Sequence, residues 1–184
     1  SRSFDVNKPG TQISELKGGV LGGSIIQGTL RPGQEVEITP GFDGKPFSIH
    51  VSSIHIAEGE LKEGRPRGLI AIGTQLDPSI TGMDKFKGQI ICSKGTLPTP
   101  TDYLDMDWHE LPRLLGAKLP APHEKELIVL TIGTNTMGGE IVHVKKNFLS
   151  VRLRGKMTVE KGQVLAVSRR ETAAWRLSGW GVAH

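Results

Sequence analysis

The chain has 184 residues, 36% hydrophobic and 5% aromatic, with a formal net charge of +4 and an isoelectric point near 9.3. That length holds one large or two small domains with a core each, and the mild basic excess permits contact with nucleic acid without establishing it. No apolar run is long enough to cross a membrane, no signal peptide is expected, and the lone Cys92 excludes an internal disulfide or a thiolate metal cluster, which suits a reducing compartment.

In chain order, Asp5-Val6-Asn7-Lys8-Pro9-Gly10 reads as a polar turn, and Lys17 to Gly23 as a glycine-dense loop opening onto an apolar strand. Gly18, Gly19, Gly22 and Gly23 are candidates for close approach to another surface, because glycine lets two backbones come together. Short β-branched segments punctuated by Gly, Pro and Asp then read as strands at 24–30, 35–39, 47–57, 68–76 and 89–93. Leu97-Pro98-Thr99-Pro100-Thr101 reads as a linker. Residues 102–115 carry amphipathic helical spacing, against which Pro112 counts. A second strand series falls at 126–133, 140–146, 148–154, 163–168 and 175–182, with Lys146-Asn147 as a tight turn. The expected fold class is all-β: two tandem β-barrels, 1–97 and 98–184.

Tests for catalytic patterns fail one by one. There is no GxxxxGK[ST] loop to cradle phosphates, and Gly18 to Gly23 departs from GxGxxG at Val20. Asn7-Lys8-Pro9-Gly10 lacks the carboxylate that would read a guanine. The six histidines show no metal-ligand spacing, and His50 and His55, five apart on one strand, are expected on opposite faces. No GxSxG elbow frames a serine. Glu58 with Glu60, and Asp105 with Asp107, read as solvated loop carboxylates. The expectation is a chain with no catalytic residue, no metal and no cofactor of its own. The close basic residues, Lys145-Lys146, Arg152-Leu153-Arg154 and Arg169-Arg170, each read singly as a solvated strand face.

Longer stretches carry a resemblance. Ser3-Phe4-Asp5-Val6-Asn7-Lys8-Pro9-Gly10, Leu16-Lys17-Gly18-Gly19-Val20-x-Gly22-Gly23-Ser24-Ile25-Ile26-x-Gly28, Gly68-Leu69-Ile70-Ala71-Ile72-Gly73-Thr74, Leu114-Leu115-Gly116 and Trp175-Arg176-Leu177-Ser178-Gly179-Trp180-Gly181 resemble the gamma subunit of eukaryotic and archaeal translation initiation factor two. That family is built like elongation factor Tu, with a GTPase domain followed by two β-barrels. The resemblance covers the second and third domains, with no GTPase domain in this sequence. It implies a cytoplasmic translation-initiation role: binding initiator methionyl-tRNA, the alpha and beta subunits and the small ribosomal subunit. GTP and magnesium are implied for the GTPase domain alone.

Matched to elongation factor Tu, residues 23–28 lie on a strand lining the pocket for the charged terminal adenosine, and residues 63–70 lie on its other wall. The resemblance therefore implies Ile25 and Ile70 as apolar walls, Gln27 as a polar contact, and Arg65 and Arg67 as charges toward the sugar-phosphate end. Arg67 departs from the family pattern, and Ile25 and Ile70 read equally as barrel core. Arg169 and Arg170 match a basic strand of the third domain and are candidate RNA-backbone contacts. Trp175 and Trp180 read as core closing the second barrel, and Gly181 as a turn. Two alternatives stand beside this reading. One is the matching part of a selenocysteine-specific elongation factor. The other is a docking module that binds the alpha subunit or an assembly chaperone without touching RNA.

Overall fold

The computed structural model describes residues 1–10, 12, 17–66, 68–112 and 119–184. The chain divides into two compact units, Ser1–Gly41 with Pro46–Thr96, and Phe42–Lys45 with Leu97–His184. Both are built of strands, and the fold class is all-β with two barrel-type domains.

The first unit uses β1 (Arg2–Phe4), β2 (Val20–Gly23), β3 (Glu35–Phe42), β4 (Lys45–Ile56), β5 (Gly59–Glu60), β6 (Ile70–Thr74) and β7 (Ile90–Cys92) in a seven-stranded sheet. The path runs β1-β2-β6-β4-β3-β7, with β5 attached to β4. Period-two alternation sets the core: on β6, Ile70, Ile72 and Thr74 turn inward while Ala71 and Gly73 turn out. Leu21, Ile38, Val51, Ile54 and Phe86 join them, each almost fully buried. Burying one such side chain contributes about 1.5–3 kcal/mol. A short helix α1 (Pro78–Thr81) starts where Asp77 accepts a hydrogen bond from the Ser79 N–H at 2.8 Å, with proline in its first turn.

Two expectations change here. The strand expected at 24–30 lies earlier, at Val20–Gly23, because Leu21 supplies the buried anchor while Ile26 stands 87% exposed. Residues 24–29 are irregular, and only Leu30 rejoins the sheet, through a bridge to Gly64. His50 and His55 do not face opposite ways. A bulge between Val51 and Ser53 inserts one residue, so the inward series passes from Ile49 and Val51 to Ile54, and both histidines face out.

The second unit is a closed barrel of β8 (Thr101–Glu110), β9 (Leu127–Ile132), β10 (Asn135–Lys145), β11 (Phe148–Met157), β12 (Val164–Glu171) and β13 (Ala174–Ala183). Its order is β10-β11-β8-β13-β12-β9, closed by antiparallel pairing of β9 with β10. The expected turn at Lys146-Asn147 joins β10 to β11, with Lys146 at a φ of 49°. The helical spacing over 102–115 is corrected to strand β8, where Leu104, Met106 and Trp108 alternate inward. Leu114, Leu115 and Gly116 lie outside the described residues.

Asp105 and Asp107 are consequently strand residues, not loop carboxylates. Asp105 accepts a 2.5 Å hydrogen bond from Ser150 Oγ, and Asp107 lies 3.1 Å from His184 Nε2. The tryptophans also change places. Trp108 is the core tryptophan, while Trp175 and Trp180 are 47% and 37% exposed, Trp180 stacking on His109 at 5.0 Å. Gly181 is no turn but a β13 position opposite Trp108, where Met106 Sδ fills the space a Cβ would need.

Candidate nucleic-acid interface

The glycine-dense segment is a seam within the first unit. The Gly19 N–H donates to the Leu76 carbonyl at 2.8 Å, and the Gly19 carbonyl accepts from both the Thr74 N–H (3.1 Å) and Thr74 Oγ1 (2.6 Å). A Cβ at Gly18 would collide with the Thr74 carbonyl, and one at Gly19 with the fully buried side chain of Thr81. At Gly22 it would sit 3.1 Å from the Phe4 ring. What comes close at these three glycines is therefore the domain's own chain. Gly23 meets nothing tighter than 3.6 Å. The polar turn that precedes the seam is tied to it by Asn7, whose Oδ1 accepts from the Lys17 N–H at 2.7 Å and whose Nδ2 donates to the Lys17 carbonyl at 2.8 Å.

The segments proposed for the acceptor end do come together, because Gly23 pairs with Ile70 across β2 and β6 and Leu30 bridges to Gly64. Their side chains divide differently. Ile70 is a core residue at 6% exposure, and Ile25 is half-buried against the same core, its Cδ1 covering Gly64. Neither forms an open wall. The exposed aliphatic side chains at this end are Ile26 and Leu69, one position along from each; Leu69 is 79% exposed. Gln27 is exposed beside Ile26. Ile26 follows β2 in the irregular segment and Leu69 precedes β6, so strand alternation gives no signal for their exposure.

Arg65 is exposed, but its charge is shared. Its Nε donates to Glu63 Oε1 at 2.5 Å while Arg31 Nη2 donates to Glu63 Oε2 at 2.5 Å, leaving a net single positive charge on the trio. The hydrogen bonds from Arg65 and then Arg31 hold the Glu63 carboxyl below its ordinary pKa. Arg67 lies outside the described residues. At the opposite end of β2 and β6 is an open groove of about 910 Å³, lined by Val6, Lys17, Val20, Ser53, His55 and Thr74 among others. Gly18 lines it, whereas Ile25, Gln27, Arg65 and Ile70 do not.

In the second unit the two adjacent arginines have separate fates. Arg169 is 2% exposed: Nε and Nη2 grip Glu126 at 2.6 and 2.9 Å, and Nη1 donates to the Pro120 carbonyl at 2.8 Å. A side chain so enclosed cannot meet an RNA backbone, and its candidacy for that contact is withdrawn. Arg170 is exposed, with Nε donating to the Thr172 carbonyl at 3.2 Å. Among the described residues no group of His, Cys, Asp or Glu is arranged to hold a metal ion.

Two family models match these two architectures separately. Residues 18–92 match Elongation factor Tu domain 2, and residues 102–183 match Initiation factor eIF2 gamma, C terminal. Over its two barrels the chain belongs to the initiation factor 2 gamma family. Relatives agree over almost all of it. Translation initiation factor 2 subunit gamma of Aeropyrum pernix is 41% identical over 195 residues, covering 99% of this chain and 47% of the relative. Eukaryotic translation initiation factor 2 subunit 3 of Drosophila melanogaster is 37% identical, covering 98% of this chain and 42% of the relative. The gamma subunit of Methanosarcina mazei is 39% identical at 99% and 45% coverage. The chain thus spans about half the length of the gamma-family relatives it matches. The matched segments are barrel domains of that family, and neither is a GTPase domain.

Proposed function

We propose that these barrels form the tRNA- and subunit-binding half of a gamma subunit that helps deliver initiator methionyl-tRNA to the small ribosomal subunit. The observation that carries the reading is the pair of exposed aliphatic side chains, Ile26 and Leu69, on segments brought together by β2–β6 pairing, with Gln27 and Arg65 alongside. Apolar surface with one net positive charge suits a terminal base followed by phosphate, and a stacked or apolar contact on such a base is worth about 1–3 kcal/mol. Ile25 and Ile70 act from beneath, as the packed floor on which that surface rests. The alpha and beta subunits are partners of the whole assembly, GTP and magnesium belong to its GTPase domain, and its setting is the cytoplasm. Among the described residues no helix is long and apolar enough to cross a membrane.

The test is discrimination between methionyl-initiator tRNA and its deacylated form by the full-length protein with GTP. Ile26→Ser with Leu69→Ser should erode the preference about tenfold or more while leaving the melting temperature unchanged. A protein that keeps its full preference with both replaced overturns the assignment of this surface. The barrels alone should bind weakly and in a salt-sensitive way, because the GTPase domain supplies the other wall.

A further inference from the structure

The outer face of β11 carries a charge arrangement that the acceptor-end reading leaves unused. Arg152, Arg154 and Lys156 alternate with the buried Val151, Leu153 and Met157, so all three cations project from the same side of one strand. Alternate residues on a strand recur about 6.6 Å apart, a spacing comparable with that of successive phosphates along an extended nucleic-acid chain. Among the described residues none of the three is ion-paired. Glu140 on β10 lies in register with Arg152 without closing a salt bridge, so the row keeps a positive excess.

Two neighbours shape the row for a flat, anionic ligand. On one side, the Arg154 side chain lies over Gly138 of β10, its Cδ 3.3 Å from where a Cβ would stand, so the absence of a side chain there lets the arginine rest along the sheet. On the other side, Tyr103 of β8 pairs in register with Arg152 and is 44% exposed, which puts an exposed aromatic residue beside the row. Cations at regular spacing and an exposed ring are the components of a single-stranded nucleic-acid platform, where charge follows the backbone and the ring takes a base.

We infer that the outer face of β11 is a second RNA-contact surface, on which Arg152, Arg154 and Lys156 hold phosphates of one RNA strand and Tyr103 stacks on a base. It is separate from the Ile26–Leu69 surface and stands or falls without it. An acidic protein segment would meet the charges equally well but would have no use for a ring set beside them.

Fluorescence anisotropy with a labelled 12-nucleotide oligouridine, titrated with the whole chain between 50 and 200 mM KCl, tests it. Replacing the three cations by serine should lower the slope of log K against log salt by about 2, at roughly 0.7 per lost phosphate contact. Between those salt concentrations the wild type should therefore lose on the order of 20-fold more affinity than the triple variant. Arg152→Lys with Arg154→Lys should keep the wild-type slope, and Glu140→Gln should tighten binding. Tyr103→Ser should weaken binding several-fold with the slope unchanged. The inference fails if the wild type does not bind the oligonucleotide or if the triple serine variant keeps its slope. It fails equally if a labelled polyglutamate peptide binds as tightly as the RNA. Ile26→Ser with Leu69→Ser should leave the slope alone, which separates failure of this surface from failure at the acceptor end.

Discussion

Removing Glu126 should unfold the second barrel far more readily than any loss of a surface charge. Arg169 has a side chain only 3% exposed and Glu126 one 13% exposed, so Glu126→Ala strands a guanidinium in the barrel wall with the Pro120 carbonyl as its remaining partner. Breaking a buried pair from one side costs about 3–5 kcal/mol. For a domain of this size each kcal/mol moves the melting temperature by about 4–8 °C, so the shift should exceed roughly 10 °C. All three tryptophans, Trp108, Trp175 and Trp180, lie in this unit, so intrinsic fluorescence reports its unfolding alone. The control is the double variant Glu126→Leu, Arg169→Met. Two apolar side chains of similar volume need no charge compensation, and the double should recover most of the loss. A single variant that costs less than about 1 kcal/mol, or a double as unstable as the single, would refute the account of Arg169 as a structural ion pair.

Further outcomes follow from the first unit. Gly19→Ala should destabilise it by about 1–3 kcal/mol through collision with Thr81, whereas Gly23→Ala should be tolerated; far-UV circular dichroism in urea separates them. Ile70→Ala should cost about 2–5 kcal/mol, and Ile26→Ser should stay within about 0.5 kcal/mol of the wild type in the same assay. By NMR, Glu63 should titrate below the ordinary glutamate range, and Arg65→Ala should bring it back toward that range. The sign follows from a depressed folded-state pKa: any stabilisation is present above the unfolded value and is lost as pH falls through the folded one. Burial pushes the Cys92 thiol up, so its alkylation rate should rise only at a pH above that of the same thiol in urea.

The barrels were legible wherever short-range alternation matched burial, as at Ile70 and Ile72 or Leu165 and Val167. Strand β8 was missed because Leu104 and Trp108 are spaced four apart, a helical interval that a strand also produces when Met106 fills the position between. The bulge in β4 leaves no residue-level mark, and it alone decides that His50 and His55 share a face. The glycine-dense segment is visible in the sequence, but the chain that packs against it is not. The group that Gly19 must admit sits on Thr74, 55 residues along, and on Thr81, beyond the reach of any local pattern. At the proposed acceptor end the sequence reading names Ile25 and Ile70, which pack on the core, while their neighbours Ile26 and Leu69 are exposed; both of those lie outside the strands, where alternation fixes no parity.

Within a strand, parity governs how a basic sequence becomes a basic surface. Arg169-Arg170 is the closest pair of arginines in the second half, yet adjacent strand residues face opposite ways. One is consumed by Glu126 inside the wall and only the other meets solvent. Arg152, Arg154 and Lys156 are spaced by apolar residues and so read as diluted, yet they gather into a single row. With a net charge of only +4 over the chain, the number of cations decides little about where RNA would lie. Their spacing modulo two decides which of them share a surface, and it favours the sparse triplet on β11 over the dense pair on β12.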